Sequence, residues 1–428
     1  MGEDKPAIPV DPNADILSYI KSFPKVKQQS LETPSFSKFA KGDVEILGDK
    51  FEPPQLVHRD EELKKIAEVV LSVATGSHTR NLFVYGKSGT GKTVATKHIM
   101  GLVQRHGNLQ VPIIPLYVNC RGQGTHHALL SKLVEELTKN PTQLAPNTSW
   151  RTLCNQFQET CQRVNANIVV VLDEADGISK YKGEADSLYF LSNLNSDMGS
   201  SRSTVSIIAV TNDLHYGENL AERVQSRLRV EKLHFPPYDR AQLEDILNAR
   251  ANLVFKPDGL EPGVIPYCAA RAAQTHGDAR LALGMLHKAA VLAEKEGVEQ
   301  VTMHHILAAR GALEHDVIAE GIERLTFQEK ILLLAIARLT QAKVPNNMIT
   351  MGMLHDGYRR VCGQLGMEPM SPTSIARLMG DIMEQGLATT DVRSFGRARG
   401  RTTVVTLTAP VDLTIQVVMK EPLFHGGG

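Results

Sequence analysis

The sequence predicts an α/β core built on a parallel sheet, followed by an all-α segment and a C-terminal winged helix-turn-helix. Three observations carry this. Short β-branched runs alternate with helical patterns from about Phe51 to Tyr238. From Asp239 to about His315 the strand patterns stop and only helical spacing continues. Between Gly321 and Leu407, three helical patterns precede two alternating strands around a Gly- and Arg-rich tip. At 428 residues the chain is too long for one compact core. The expected organisation is a polar arm over 1–50, an α/β core over 51–238, a helical lid over 239–319, a winged helix over 320–410 and a tail over 411–428.

The arm is rich in Pro, Ser, Lys and Asp and has little periodicity. The first predicted strand, Asn81 to Tyr85 (NLFVY), runs directly into Gly86-Lys87-Ser88-Gly89-Thr90-Gly91-Lys92-Thr93, a complete G-x-x-x-x-G-K-[ST] phosphate-binding loop. A helical pattern leaves it at Val94. The glycines let successive N–H groups turn toward phosphates, Lys92 reaches the β- and γ-phosphates, and the Thr93 hydroxyl takes a place on Mg²⁺. The positive end of the following helix adds to the same anion site. ATP or ADP with Mg²⁺ is the implied ligand.

Ile113 to Asn119 reads as a second strand, and helical patterns cover about Thr125 to Lys139 and Trp150 to Val164. Ile168 to Leu172 is a continuous β-branched run, as in a strand buried on both faces, and it ends in Asp173-Glu174-Ala175-Asp176. Carboxylates at that end of a strand face the ligand crevice of an open α/β sheet. Asp173 can serve the metal and Glu174 can polarise an attacking water. The letters DEAD also occur in a class of helicases, but the Ser-Ala-Thr motif those enzymes need after this strand is absent. A further strand, Ser206 to Thr211, ends in Asn212, which resembles the sensor 1 residue of the AAA+ ATPases. After it come Arg223 and Arg227, just before a short strand over Glu231 to Phe235. In AAA+ proteins arginines at this place act in trans as fingers, and the sequence leaves both as candidates. Asp278 caps the helix of Ala279 to Ala293 and leaves Arg280 in its first turn, where it resembles sensor 2.

Several runs extend the likeness to one family. "HRDEEL" (His58 to Leu63), "YVNC" (Tyr117 to Cys120), "ERVQS" (Glu222 to Ser226) and the lid from "FPPYDRAQLEDILNARANLVF" onward resemble the archaeal origin-recognition initiators, relatives of the eukaryotic origin recognition complex and the Cdc-type helicase loaders. The resemblance spans about Phe51 to Leu407. It implies that Leu56, Val57 and Arg59 lie over the adenine and that Tyr238 and Arg250 touch the nucleotide. It also implies slow ATP hydrolysis used as a switch. The partners it implies are double-stranded origin DNA, the replicative minichromosome maintenance helicase and further copies of the initiator.

In the C-terminal third, Thr326 to Leu339 is amphipathic, a second helix covers about Met351 to Leu365, and Ser371-Pro372-Thr373 opens a third that ends at Gly386. Leu387 to Val392 and Thr402 to Leu407 form the hairpin. In a winged helix the third helix enters the major groove and the wing meets backbone or minor groove. Thr373, Ser374 and Arg377 then face DNA, with Arg393, Arg397, Arg399 and Arg401 on the wing, where arginines interleaved with glycines suit phosphates.

Lys+Arg and Asp+Glu both number 47, so DNA binding must come from local patches. Five cysteines without C-x-x-C spacing argue against zinc or a disulfide framework and for a reducing compartment. With no apolar run of membrane-spanning length, the expected place is cytoplasmic and nucleoid-associated. The His126-His127 and His304-His305 pairs read as helix-surface residues. The leading alternative function is an AAA+ transcription regulator or signalling ATPase with a winged-helix output domain. A clamp-loader subunit would carry an oligomerisation collar where this chain has its Arg-rich wing.

Overall fold

The structure, a computed structural model, describes residues 38–74, 80–106, 112–139, 148–164, 166–180, 186–199, 203–342, 348–394 and 401–424; at 74, 105, 106, 179, 180, 394 and 401 the description is of the backbone. It divides into two compact units, residues 1–306 and 307–428.

In the first unit, β1 (Asn81–Tyr85), β2 (Ile113–Asn119), β3 (Asn167–Asp173), β4 (Val205–Thr211) and β5 (Val230–His234) form a sheet in the order β2-β3-β4-β1-β5, every pair parallel. Helices α1 (Asp60–Ala74), α2 (Lys92–His106), α3 (His126–Thr138), α4 (Trp150–Arg163), α5 (Ser187–Asp197), α6 (Tyr216–Asn219) and α7 (Glu222–Leu228) alternate with the strands. The unbroken apolar runs are explained by two cores. Ile168, Val170 and Leu172 of β3, with Ile207 and Ala209 of β4, pack under α3, α4 and α5. Val169, Val171, Ile208 and Val210 point the other way, to α1 and α2. Each residue of the central strands is therefore buried on one face or the other, and period-2 polarity vanishes. The carboxyl ends of β1, β3 and β4 meet at one edge of the sheet, which sets the site.

Three helices follow in this unit, α8 (Arg240–Val254), α9 (Val264–Gln274) and α10 (Ala279–Glu296), and α11 (Met303–Glu323) begins in it and runs on into the second unit. A capping box between Asp239 and Gln242 starts α8, and Asp278 caps α10 by accepting from the N–H groups of Arg280 and Leu281. The last part of the expected arm is not free. Phe39 and Ala40 are buried, Ala40 bridges to Phe255, and the N–H groups of Lys41 and Gly42 donate to the Val254 carbonyl at 2.8 and 3.1 Å. A 3-10 turn over Val44–Leu47 then buries both of its terminal side chains. The described part of the arm thus straps the lid, because its few apolar residues (Phe39, Val44, Leu47) all find the same helical surface. The residues before 38 lie outside the described chain.

The second unit holds α12 (Phe327–Gln341), β6 (Ile349–Thr350), α13 (Met351–Gln364), α14 (Pro372–Glu384), β7 (Ala388–Ser394), β8 (Arg401–Leu407) and α15 (Val411–Val418). The antiparallel sheet has the order β6-β8-β7. Helix α14 begins as expected, with Ser371 capping and Pro372 at its first position. The expected tail instead continues the domain: Thr414, Val417 and Val418 of α15 are buried, the Phe424 ring lies 5.1 Å from Phe327, and Lys330 pairs with Glu421. The architecture is the α/β core, helical lid and winged helix-turn-helix expected from the sequence.

Candidate functional site

The loop between β1 and α2 turns through Gly86, Gly89 and Gly91, all at positive φ (152°, 71° and 91°). Two of these glycines are also required by close approach. A Cβ on Gly86 would stand 2.4 Å from the Phe235 carbonyl oxygen, and one on Gly89 would strike the Asp278 carboxylate. Lys92, 6% exposed, curls back over the loop, and its Nζ donates to the carbonyls of Gly86 (2.9 Å) and Lys87 (2.6 Å) and to Asn212 Oδ1 (2.9 Å). Burial, followed by the positive charge of Arg280, lowers its pKa from 10.5 to about 8. Thr93 Oγ1 lies 3.1 and 3.2 Å from the two oxygens of Asp173, so the loop and the acidic strand converge on one point.

The neighbours of that point were not evident from the sequence. Tyr117 donates to Asp173 Oδ2, and its own pKa is raised by burial and by that carboxylate. Asp176 accepts from Thr211 Oγ1 (2.9 Å) and from the Asn212 N–H (3.3 Å), which holds the end of β4. Glu174 sits at φ 50°, in the left-handed region, with Arg121 4.0 Å away.

Two joined cavities meet here. A polar one of about 130 Å³ is lined by Ser88, Gly89, Thr90, Gly91, Lys92, Thr93, Asp173, Glu174, Asn212 and Arg280, together with Arg121. A largely apolar one of about 290 Å³ shares Gly89, Gly91, Thr93 and Arg280 with it and is walled by Phe51, Pro53, Leu56, Val57, Val94, Tyr238 and Arg250. A charged end and an apolar slot suit a nucleotide's phosphates and base. Thr93 and Asp173 are a hard, all-oxygen donor pair that fits Mg²⁺ carried by phosphates. Among the described residues no His/Cys/Asp/Glu group could hold a metal by itself.

Not every expected site residue lies on these walls. Gly86 and Lys87 belong to the loop, with Lys87 Nζ 3.2 Å from His276 Nδ1. Arg59, expected over the adenine, lies beneath the loop instead. It is 2% exposed and donates to Thr90 O (3.1 Å), Tyr238 OH (3.0 Å), Glu62 (2.9 Å) and Pro236 O (2.7 Å), with Tyr238's ring 3.9 Å away. A buried guanidinium needs this many acceptors, and the loop supplies one of them. Arg250 touches the cavity but points its donors at the strap, to Ile46 O (2.8 Å) and Phe51 O (3.3 Å). Arg223 and Arg227 lie on α7, away from both cavities. Arg223 pairs with Asp186 (3.1 Å) and stacks on Tyr189, while Arg227 is exposed.

On the winged helix, Thr373 and Arg377 are exposed one turn apart on α14. Ser374 is half-buried and bonded to Ser371 Oγ at 3.0 Å, so it serves the cap as much as any ligand. Arg393 is exposed beside Asp391 (3.2 Å). Arg397 and Arg399 lie outside the described residues, and Arg401 is described only as backbone opposite Ser394. Of the histidines expected on helix surfaces, His304 is exposed as expected, His126 and His127 are half-buried, and His305 is a correction. His305 is buried, accepting from Thr302 N at 2.9 Å and facing Glu296, and His126 is bonded to Ser187 with its pKa lowered by burial. All five cysteines are free thiols, and no described helix is long and apolar enough to cross a membrane.

Comparison with known proteins follows this geometry domain by domain. Residues 74–215 match the AAA domain family, 244–311 the Cdc6 AAA+ ATPase-type lid domain, and 320–417 the CDC6 C-terminal winged helix domain. The chain is 36% identical over 367 residues to an ORC1-type DNA replication protein of Pyrococcus abyssi, covering 85% of this chain and 86% of that one. It is 34% identical over 393 residues to one of Methanocorpusculum labreanum, covering 90% and 91%. The solved structure of the Aeropyrum pernix ORC1 protein in complex with DNA superposes with a TM-score of 0.80 at 31% identity, covering 91% of this chain and 99% of that one. With the phosphate loop, acidic strand, lid arginine and winged helix arranged as described, the chain belongs to the ORC1-type DNA replication protein family of AAA+ ATPases.

Proposed function

We propose that this chain is an ATP-dependent initiator of DNA replication that binds double-stranded origin DNA through its winged helix and helps to recruit the replicative minichromosome maintenance helicase at the nucleoid. The observation that carries the reading is the convergence of Thr93 on Asp173 and of Lys92 on Asn212, in a chain that also bears a winged helix.

ATP enters with its base in the apolar slot beside Leu56, Val57 and Tyr238 and its phosphates under the loop. Lys92 then exchanges neutral carbonyl acceptors for phosphate oxygens, a stronger charge-assisted bond. Thr93 and Asp173 would hold Mg²⁺, which would supply positive charge to the phosphates. Arg280, in the first turn of α10, meets the γ-phosphate from the lid, so the lid senses whether that group is present. Asn212 orients a water, and Glu174 accepts its proton as the water oxygen bonds to the γ-phosphorus and the bridging oxygen leaves with ADP. Glu174 has the Arg121 guanidinium 4.0 Å away, and a slow reaction suits the role of a switch. Arg223 or Arg227 acts on the site of another initiator copy.

The test is a footprint of the full chain, with ATP, across cloned chromosomal fragments of the host. Protection of discrete repeats at replication origins is expected. Uniform weak binding to every fragment rejects the initiator reading.

A further inference from the structure

Tyr117 stands on β2 directly beside Val171 of β3, two residues before Asp173, and it reaches along the strand to donate its phenol to Asp173 Oδ2. The carboxylate is 4% exposed. Its other oxygen accepts from Thr93 Oγ1 at 3.1 Å and from the Glu174 N–H at 3.0 Å. Thr93 and Tyr117 therefore grip Asp173 from different elements, one from α2 and one from β2. A hydroxyl has one hydrogen and two lone pairs, so Thr93 can donate to Asp173 and still offer oxygen to a cation. Tyr117 lines neither cavity, and its ring is held from α2 by the Lys97 ammonium, 4.7 Å from the ring centre.

We infer that Tyr117 is a positioning residue that fixes the Asp173 carboxylate for Mg²⁺ and so sets how strongly the cation and nucleotide bind together. This rests on the nucleotide-binding reading above. The physical reason is that removal of the phenol leaves a buried carboxylate oxygen with an unfilled lone pair and a free side-chain torsion. Groups that orient metal-site carboxylates without touching the metal change its affinity by about 10- to 100-fold. Tyr117 meets the nucleotide nowhere, so binding without the cation is untouched.

The experiment uses full-length Tyr117→Phe, which keeps the ring and its Lys97 contact, with a fluorescent ADP titrated in EDTA and at rising Mg²⁺. The Mg²⁺ concentration for half-maximal enhancement is expected to rise roughly tenfold, with affinity in EDTA unchanged. Asp173→Asn should lose the enhancement, and adding Tyr117→Phe to it should change nothing further. An unchanged Mg²⁺ midpoint in Tyr117→Phe overturns the inference, as does equal weakening with and without Mg²⁺, which marks a packing role only. Wild-type protein that binds ADP in EDTA without any enhancement by Mg²⁺ overturns it along with the metal assignment of Thr93 and Asp173. Wild-type protein that binds no ADP at all overturns the nucleotide reading first.

Discussion

The Lys92 ammonium is bonded to the side-chain oxygen of Asn212 at 2.9 Å, tying the phosphate loop after β1 to the end of β4. The two strands are neighbours, with Tyr85 opposite Thr211, so the bond links their adjacent carboxyl ends. The hydrogen-bond acceptors of the ammonium are all neutral oxygens, while the carboxylates of Asp173, Asp176 and Asp278 act on it from farther away, so a phosphate in direct contact should favour its charged form.

With its pKa lowered by burial to about 8, Lys92 is charged below that pH and largely neutral above it. Phosphate favours the charged form, so nucleotide affinity should fall as pH rises through about 8, and binding at pH 8.5 should take up a proton. The effect on folding has the opposite sign. Between about 8 and 10.5 the unfolded state binds more protons than the folded one at this site, so its contribution to the stability of nucleotide-free protein rises with pH across that window. Calorimetry of ADP binding in two buffers of different ionisation enthalpy measures the uptake. Lys92→Ala should abolish both the uptake and most of the affinity; full affinity in a folded variant would contradict the assignment.

Glu174→Gln should keep ATP affinity within about twofold and reduce turnover by about a hundredfold or more, since general bases contribute roughly 10²–10⁴-fold. Asp173 still serves the metal in this variant, which separates binding from chemistry. Phosphate release under single-turnover conditions is the measurement, and retained turnover would show that another group handles the water.

How much of this was legible in the sequence depends on what kind of contact makes each feature. The phosphate loop, the Asp173 strand and the Ser371-Pro372 helix start are local patterns, and each lies where its residues suggested. The strap over residues 38–50 packs through Phe39, Val44 and Leu47, too few and too scattered to show a period, and its remaining bonds run largely through backbone carbonyls such as those of Phe39 and Ile46, which leave no trace in residue identity. The resemblance implies Arg59 over the base, but two of its acceptors, Thr90 O and Pro236 O, are backbone, and the other two, Tyr238 and Glu62, are side chains whose meeting with it only the fold shows. Strand β6 has two residues, too few for any period, and α15 is short enough to pass as tail. Tyr117 reads as an ordinary strand aromatic until the register of β2 on β3 brings it to Asp173.

Arg250 ties the strap to the wall of the apolar cavity proposed for the base. Burial lowers its pKa to about 10, and it still donates to Ile46 O and Phe51 O while stacking over the Phe51 ring at 4.4 Å. Phe51 and Pro53 wall the apolar cavity, so Arg250→Ala should loosen that wall without touching the phosphate loop. Loss of about 1–2 kcal/mol of hydrogen bonding predicts roughly tenfold weaker ADP binding. Inorganic tripolyphosphate, which has no base, should bind as before. Equal weakening of both ligands in competition titrations would place Arg250 on the phosphates instead.

On the proposed function, the winged helix should make two kinds of DNA contact that respond differently to salt. The wing arginines Arg397, Arg399 and Arg401 suit phosphates, whereas the exposed Thr373 and Arg377 share one face of α14 with Gly380, a face open enough for close approach to base edges. A phosphate contact releases condensed counterions, so each wing arginine replaced by Ala should lower the slope of log K against log salt by about 0.9 and weaken specific and random duplexes alike. Replacement of Arg377 or Thr373 should change the slope little and narrow the gap between origin and random DNA, because a bidentate base contact discriminates by about 1–3 kcal/mol. Anisotropy titrations of both duplexes at several salt concentrations distinguish the two. If Arg377→Ala lowers affinity for both duplexes equally and shifts the salt slope as the wing variants do, α14 lies on the backbone and sequence must be read through the shape of the DNA.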